Sequence, residues 1–271
     1  MSIGWSMSDV DLDIDLIVLD LDGGAMLDEC LASIRAQTIA PRSVIVFDNG
    51  SRVPTRAENV IRSETNLGFA RGVNEAYAHT TAPYVGLINN DVVLDADWLA
   101  HVRDALDRDA QLAAVQTIIR RPDGLIDGAG IDISDGTFRQ IGHGQPVGAP
   151  LAVAWGVSAT AALYRRAALG VRVFDERLFA YYEDAELSAR LRESGWRTAV
   201  LPVVKATHRG SASASLLGPR ARRLRTRNRY LVARMHRGAG RIAALLWEDA
   251  RLLPRGRTSL RGVIEGLCSR L

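Results

Sequence analysis

Leu87-Ile88-Asn89-Asn90-Asp91 is an apolar strand that ends in a polar triplet, and its reading sets the architecture of the chain. A continuous apolar run is what a strand buried on both faces requires. The pattern recurs upstream. Leu16-Ile17-Val18-Leu19 leads into Asp20 and Asp22, and Val44-Ile45-Val46-Phe47 leads into Asp48-Asn49-Gly50-Ser51, a turn sequence. Between and beyond these runs, apolar residues recur at helical spacing: Leu27, Leu31 and Ile34; Val73, Ala76 and Tyr77; Trp98, Leu99, Val102 and Leu106. Val60-Ile61 and Ala113 to Ile119 read as further strands. Strands alternating with helices predict a mostly parallel α/β sheet. In such sheets ligands bind beyond the carboxyl ends of the strands, so the three polar clusters are expected to face one crevice.

The second half is patterned differently. Glycines 124, 128, 130, 136, 142, 144 and 148 punctuate a loop-rich or hairpin segment, and Ala152 to Leu163 reads as a strand. Tyr181-Tyr182-Glu183-Asp184 opens a helix with Leu187 and Leu191 on one face and Gly195 as its C′ residue. Thr198 to Val204 reads as a strand interrupted by Pro202, with His208 in the loop that follows. Beyond Leu216 the chain is Arg-rich with a helical pattern.

The bounds exclude several classes. At 271 residues and 47% hydrophobic, the chain is one large domain or a domain with an appendage. Cys30 and Cys268 make neither a disulfide framework nor a zinc site, and Cys30 falls in a helical pattern as a small core residue. No apolar run approaches the roughly 20 residues of a membrane span. The N-terminus lacks a signal-peptide pattern. A cytoplasmic protein, peripheral at the inner face of the plasma membrane, is the expectation. The net charge of +3 hides an asymmetry: Asp9, Asp11, Asp13, Asp15, Asp20 and Asp22 crowd the start, whereas no acid stands between Gly218 and Arg241.

The order of motifs resembles the inverting nucleotide-sugar glycosyltransferases of family 2, with their GT-A fold, and especially the bacterial rhamnosyltransferase-like branch. The stretches that carry the resemblance are Asp48-Asn49-Gly50-Ser51, Asn66 to Asn74, Asn89-Asn90-Asp91, Phe174-Asp175-Glu176, Phe179 to Leu187, Gly195-Trp196-Arg197 and His208, within residues 14–215. Each is weak alone; their order and spacing are specific. The resemblance implies that Asp91, last residue of a DxD-like motif, and His208 hold a divalent cation, Mg2+ or Mn2+, against the donor diphosphate. It implies that Asp184 is the general base, with Glu183 beside it orienting the acceptor or Asp184's surroundings. Asp20, Asp22, Asp48, Asn66, Gly68, Arg71, Asn74, Asn89 and Asn90 are then expected on a dTDP- or UDP-linked sugar donor. Trp155, Gly156 and Tyr182 are expected at a glycan or lipid-linked acceptor. The chain departs from the family where Asp20-Leu21-Asp22 stands in place of the commoner Asn-Tyr-Asn, since Leu21 cannot stack on a base as Tyr does.

The resemblance divides the chain into a GT-A catalytic domain, 1–215, and an Arg-rich helical extension, 216–271. An enzyme moving a sugar, rhamnose in the first instance, onto a cell-envelope glycan is the expected function. Two alternatives remain at this point. One is a non-catalytic protein of the same fold that binds sugar nucleotides or glycans. The other is a haloacid-dehalogenase-type phosphatase, because Leu19-Asp20-Leu21-Asp22-Gly23 looks like the opening of that family, although the single lysine, Lys205, follows the acidic pair Glu183-Asp184 instead of preceding it. The tail, with arginines beside Leu245, Leu246 and Trp247, fits an anionic membrane surface. It lacks the interleaved aromatics of a base-stacking surface, so no nucleic-acid partner is expected. Its arginines otherwise serve the donor diphosphate, the acceptor's phosphate or a subunit contact in a homodimer.

Overall fold

The structure is a computed structural model that describes residues 13–132, 139–210, 212–236 and 238–269; the expected acids Asp9 and Asp11 lie outside them. In chain order the elements are β1 (Ile14–Asp20), α1 (Ala25–Arg35), β2 (Ser43–Asn49), β3 (Val60–Ser63), α2 (Phe69–Tyr77), β4 (Tyr84–Asn89), β5 (Val92–Leu94), α3 (Trp98–Arg108), β6 (Leu112–Arg120), β7 (Ile126–Gly128), β8 (Ile131–Asp132), β9 (Arg139–Gln140), β10 (Ala161–Arg165), α4 (Arg166–Leu169), α5 (Glu183–Glu193), β11 (Arg197–His208), α6 (Ala212–His236), α7 (Gly238–Leu252) and α8 (Leu260–Cys268). The main sheet runs β3-β2-β1-β4-β10-β6-β11-β5, with β7 paired to β6. β1, β2, β3 and β4 pair in parallel, as do β6 and β11; β10 is antiparallel to both its neighbours.

Alternation along each strand splits the core into two layers. Leu16, Val18 and Val46 face α1 and α3, where Leu27, Cys30, Leu31, Trp98 and Val102 complete one cluster. Ile17, Ile45 and Phe47 face the opposite way, toward Val73, Ala76 and Tyr77 of α2 and Leu187 and Leu191 of α5. This is why the strands read as unbroken apolar runs. Cys30 is wholly buried, and burial pushes its thiol up to about 12. Asp15 is the one acid inside β1 with no solvent exposure. Burial disfavours its charge, but Arg42, Ser43 and the amides of Thr81 and Ala82 outweigh that and lower its pKa to about 2, so it staples β1 to its neighbours.

Three expectations are corrected. The strand read over 152–163 begins only at Ala161, because residues 152–158 turn away to meet Ile131, with Trp155 and Gly156 donating to its carbonyl. Pro202 does not interrupt β11; the register against β6 shifts between Leu201 and Val204, a bulge that takes up a residue with no N–H to give. His208 is the last residue of β11, opposite Val92 of β5, and not part of a loop. Residue 215 lies within α6, which kinks at Gly218 (φ 45°) just before Pro219.

α6 packs along the rest of the molecule. Leu231 and Val232 bury against Leu178 and Tyr182, and Tyr230, Leu245 and Val263 form a small core joining α6, α7 and α8. His236 bonds Glu186 and Glu193 of α5.

Candidate active site

A cavity of about 710 Å³ opens beyond the carboxyl ends of β1, β2 and β4. The antiparallel pairing of β5 with the end of β11 brings Asp91 and His208 together on its wall. His208 Nε2 is 3.2 Å from Asp91 Oδ1, and its Nδ1 is 2.8 Å from Asp127 Oδ2. Burial would lower the pKa of the ring, but the bonds to Asp127 and Asp91 outweigh it and raise the pKa to about 9.

Glu183 and Asp184 lie on the same cavity, in the first turn of α5. Both carboxyls are raised, first by burial and for Glu183 also by the neighbouring Asp184; Glu183 reaches about 8. Hydrogen bonds from the amides of Ala185 and Ala159 and from the Ser158 hydroxyl restrain the rise at Asp184. Glu183 Oε2 and the hydroxyl of Tyr164 are buried with no hydrogen-bond partner among the described residues. The pair therefore favours holding a proton, as two adjacent acids in a dry wall do.

The approach to that pair is strained. Phe179 (φ 60°, ψ −63°) sits in the γ-turn geometry of the rare hand, closed by the amide of Ala180 donating to Leu178 O at 2.7 Å. Tyr181 and Tyr182 follow, each at φ 72°. Left-handed backbone at bulky residues is held only where surrounding contacts impose it. Asn228 of α6 supplies them. Its wholly buried amide donates to Leu178 O (2.7 Å), Ala180 O (2.8 Å) and Tyr181 O (2.7 Å). Phe179 in turn accepts the amide of Ala70, and its ring lies so close to Gly68 that a Cβ there would stand 2.6 Å away.

The residues expected on the donor divide into two groups. Asn66, Gly68, Asn89 and Asn90 line the cavity. Asp20, Asp22, Asp48, Arg71 and Asn74 do not. Asp20 accepts from Asn90 (2.6 Å), Gly23 and Thr55. Asp22 pairs with Arg52. Asp48 is buried against Arg62, Ser51 and Thr55; burial acts against its charge, but these bonds hold its carboxyl below the usual range. Asn74 ties α2 to Val173, Phe174 and Glu176, and Arg71 is exposed beside Glu75. Of the expected acceptor residues, Tyr182 lines the cavity. Trp155 and Gly156 sit beside it on Ile131, and a Cβ on Gly156 would meet Ser188 Oγ at 2.4 Å. Sequence reasoning missed Asp127, which stands in a glycine-rich segment without periodicity, and Asn228; Arg220 and Arg225 it read only as members of a charge run.

Among the described residues no three His, Cys, Asp or Glu side chains form a closed metal cage. Asp91 and His208 fit a cation in another way: a small donor set leaves coordination positions to phosphate oxygens, as hard divalent ions on nucleotides require. The sheet thus brings an acid and imidazole pair and a pair of raised carboxyls onto one cavity. The chain belongs to glycosyl transferase family 2, whose sequence model matches residues 22–171. It is 28% identical over 239 residues to an N-acetylglucosaminyl-diphospho-decaprenol L-rhamnosyltransferase of Mycobacterium tuberculosis (strain H37Rv), across 74% of this chain and 76% of that one. Its fold is similar to residues 1–349 of S. aureus TarS (TM-score 0.57, 16% identity, 90% of this chain and 73% of that one). It is also similar to the mannosyltransferase PcManGT from Pyrobaculum calidifontis in complex with GDP-Man and Mn2+ (TM-score 0.59, 16% identity, 93% and 77%). The protein is a glycosyltransferase of GT-A fold. The phosphatase alternative falls with this finding, and Asp20, with its carboxylate committed to three hydrogen bonds, has the surroundings of a structural acid. The non-catalytic alternative falls with it too.

Proposed function

We propose that the protein transfers a hexosyl unit, rhamnose in the first instance, with inversion, from a dTDP- or UDP-linked donor to a hydroxyl of N-acetylglucosamine on a diphospho-prenol at the cytoplasmic face of the membrane. The observation that carries this reading is that one cavity is lined by Asp91 and His208 and by the raised pair Glu183-Asp184. Asp184 accepts the acceptor's hydroxyl proton as its oxygen bonds the anomeric carbon. The carbon–oxygen bond to the diphosphate breaks, and its electron pair leaves with the nucleotide. No protein nucleophile is required. A divalent cation, held by Asp91 and His208, supplies neutralisation of the diphosphate charge. Asn66, Gly68, Asn89 and Asn90 contact the donor. Asp20, Asp22, Asp48, Arg71 and Asn74 support the donor side from outside the cavity lining, as Trp155 and Gly156 support Tyr182 on the acceptor side. Glu183 keeps the base's surroundings dry and proton-rich. Residues 1–215 serve as the catalytic domain, with 216–271 as a helical extension that braces it.

The test is incubation with a panel of nucleotide sugars and the diphospho-prenol acceptor, with the anomeric configuration of the product read by NMR. An inverted rhamnoside supports the reading, and a retained configuration overturns it. For the cation, Asp91→Ala and His208→Ala are each expected to remove the Mn2+-dependent part of UDP or dTDP binding in calorimetric titration. Unchanged metal dependence in both variants would sink the shared site.

No helix of the described residues is long and apolar enough to cross a membrane. A membrane-facing surface is supported by exposed apolar residues on α7 and α8: Leu246 (41% exposed), Trp247 (66%), Leu260 (59%) and Ile264 (54%). The same helices carry Arg251 and Arg261. Vesicles containing anionic lipid are expected to bind the protein, and Leu246→Glu with Trp247→Glu to weaken that binding severalfold without unfolding it. Truncation after Ser215 is a poorer test, because it also removes Asn228. Unaltered co-sedimentation of the double variant would show that this row is not the anchor. Sedimentation velocity then reads whether it joins two copies of the chain instead.

A further inference from the structure

Six of the seven arginines of α6 separate into two kinds by what holds them. Arg223 pairs with Glu265, and Arg229 with Glu248 and Asp249. Arg227 donates to Arg177 O at 2.6 Å, and Arg234 to Gly266 O at 3.0 Å and Ser269 O at 2.7 Å. These four fasten the C-terminal helices together and to the rest of the chain. Arg220 and Arg225 do neither. Arg220 lies 4.3 Å over the ring of Phe179, and Arg225 4.3 Å over the ring of Tyr181. Both are exposed, both line the cavity, and neither pairs with a described carboxylate.

We propose that Arg220 and Arg225 form a phosphate-binding wall of the transfer cavity, taking a diphosphate group. The guanidinium fork matches phosphate oxygens in a way that an ammonium does not, and stacking on an aromatic ring orders the side chain before the ligand arrives. The aromatic partners are themselves fixed, because Asn228 holds the backbone on either side of them. The cavity also carries Asp91, Asp127, Glu183 and Asp184, so the two guanidinium groups offset carboxylate charge that would otherwise repel an anion. This assignment rests on the transfer reading above, which supplies two sources of diphosphate. One is the nucleotide of the donor, toward which Phe179 points through its contact with Gly68. The other is the diphosphate joining the acceptor sugar to its prenol, on the side of Tyr181 and the base.

The experiment compares wild type, Arg220→Gln with Arg225→Gln, the same pair changed to Lys, and Arg222→Gln, an exposed arginine of the same helix outside the cavity lining, as control. One arm measures Kd for UDP and for dTDP with Mn2+ by calorimetry, which needs no turnover. The other measures KM, at saturating donor, for N-acetylglucosaminyl-diphospho-prenol and for an alkyl N-acetylglucosaminide without phosphate. The Gln pair is expected to weaken one ligand by about tenfold or more, as loss of charge-assisted bonds does, and the Lys pair by less. A raised nucleotide Kd assigns the wall to the donor. A KM raised only for the diphospho acceptor assigns it to the acceptor. Circular dichroism checks folding, and the Lys pair keeps the test decisive should the Gln pair be unstable. Values within twofold of wild type in both arms overturn the proposal. A wild-type protein that transfers to no acceptor overturns the transfer reading instead, and the nucleotide arm still reports on the arginines.

Discussion

Asp184→Asn is expected to lower kcat by about 10²–10⁴ while leaving the nucleotide Kd within a few-fold of wild type. The substitution keeps size and hydrogen-bonding reach but removes the atom that takes the proton. The pH dependence sharpens the expectation. Burial raises both carboxyls of the Glu183-Asp184 pair above the ordinary range, so a proton stays on the pair at pH values where exposed carboxylates are ionised. A base must be unprotonated to act. Wild-type kcat should therefore fall as pH drops through the raised value of the pair, on an acidic limb well above the ordinary carboxylate pKa near 4. Asp184→Asn should lose that limb along with its rate. Glu183→Gln removes the carboxyl whose pKa the charge of Asp184 raises, so an acidic limb that survives in this variant belongs to Asp184 alone. A single-turnover measurement across pH separates chemistry from product release. An Asp184→Asn enzyme with most of its turnover intact would show that another group is the base.

The sheet and its helices were legible because burial on both faces leaves a mark on every strand residue. Leu16 to Leu19, Val44 to Phe47 and Leu87-Ile88 read as strands from their apolar runs, and all three are strands. The antiparallel additions left no such mark. β5 is a three-residue strand, and its pairing with β11 joins positions more than a hundred residues apart. That pairing sets Asp91 beside His208, a proximity that spacing along the chain does not encode. Asp127 reaches His208 from a segment whose glycines obey turn geometry and not periodicity. The tail was hardest. A run of arginines carries the same signal whether its members meet solvent, a membrane, a carboxylate on α8 or an aromatic ring on the cavity, and only tertiary contacts sort them. Asn228, between two of those arginines, looks in sequence like an ordinary helix residue.

Asn228→Asp is expected to disable the enzyme through the backbone of the loop that leads to the base. The change is nearly isosteric, yet it replaces an amide donor with an acceptor facing the carbonyl oxygens of Leu178, Ala180 and Tyr181. Leu178 O keeps the amide of Ala180 and the Arg227 guanidinium, but the carbonyls of Ala180 and Tyr181 lose the amide that holds them, and a carbonyl left without its partner away from water costs about 1–3 kcal/mol. The carboxylate adds the desolvation of a buried charge, because Asn228 has no solvent exposure. Meanwhile Phe179, Tyr181 and Tyr182 hold left-handed backbone that costs about 1–3 kcal/mol each and relaxes once the restraint is gone. Relaxation moves Tyr182, the residue before Glu183, and draws Phe179 away from Gly68 and Ala70. The base and the donor loop are thus disturbed together. Transfer should fall at least about tenfold at a temperature where circular dichroism shows the variant folded, and Tm should drop by several degrees, about 2–4 °C per kcal/mol for a chain of this size. Asn228→Ala, which loses the donors without adding a charge, should fall between Asp and wild type. The order Asp, Ala, wild type in both rate and Tm is what an amide clamp produces. A folded Asn228→Asp protein with wild-type rate and Tm would mean that the loop keeps its left-handed course without the clamp.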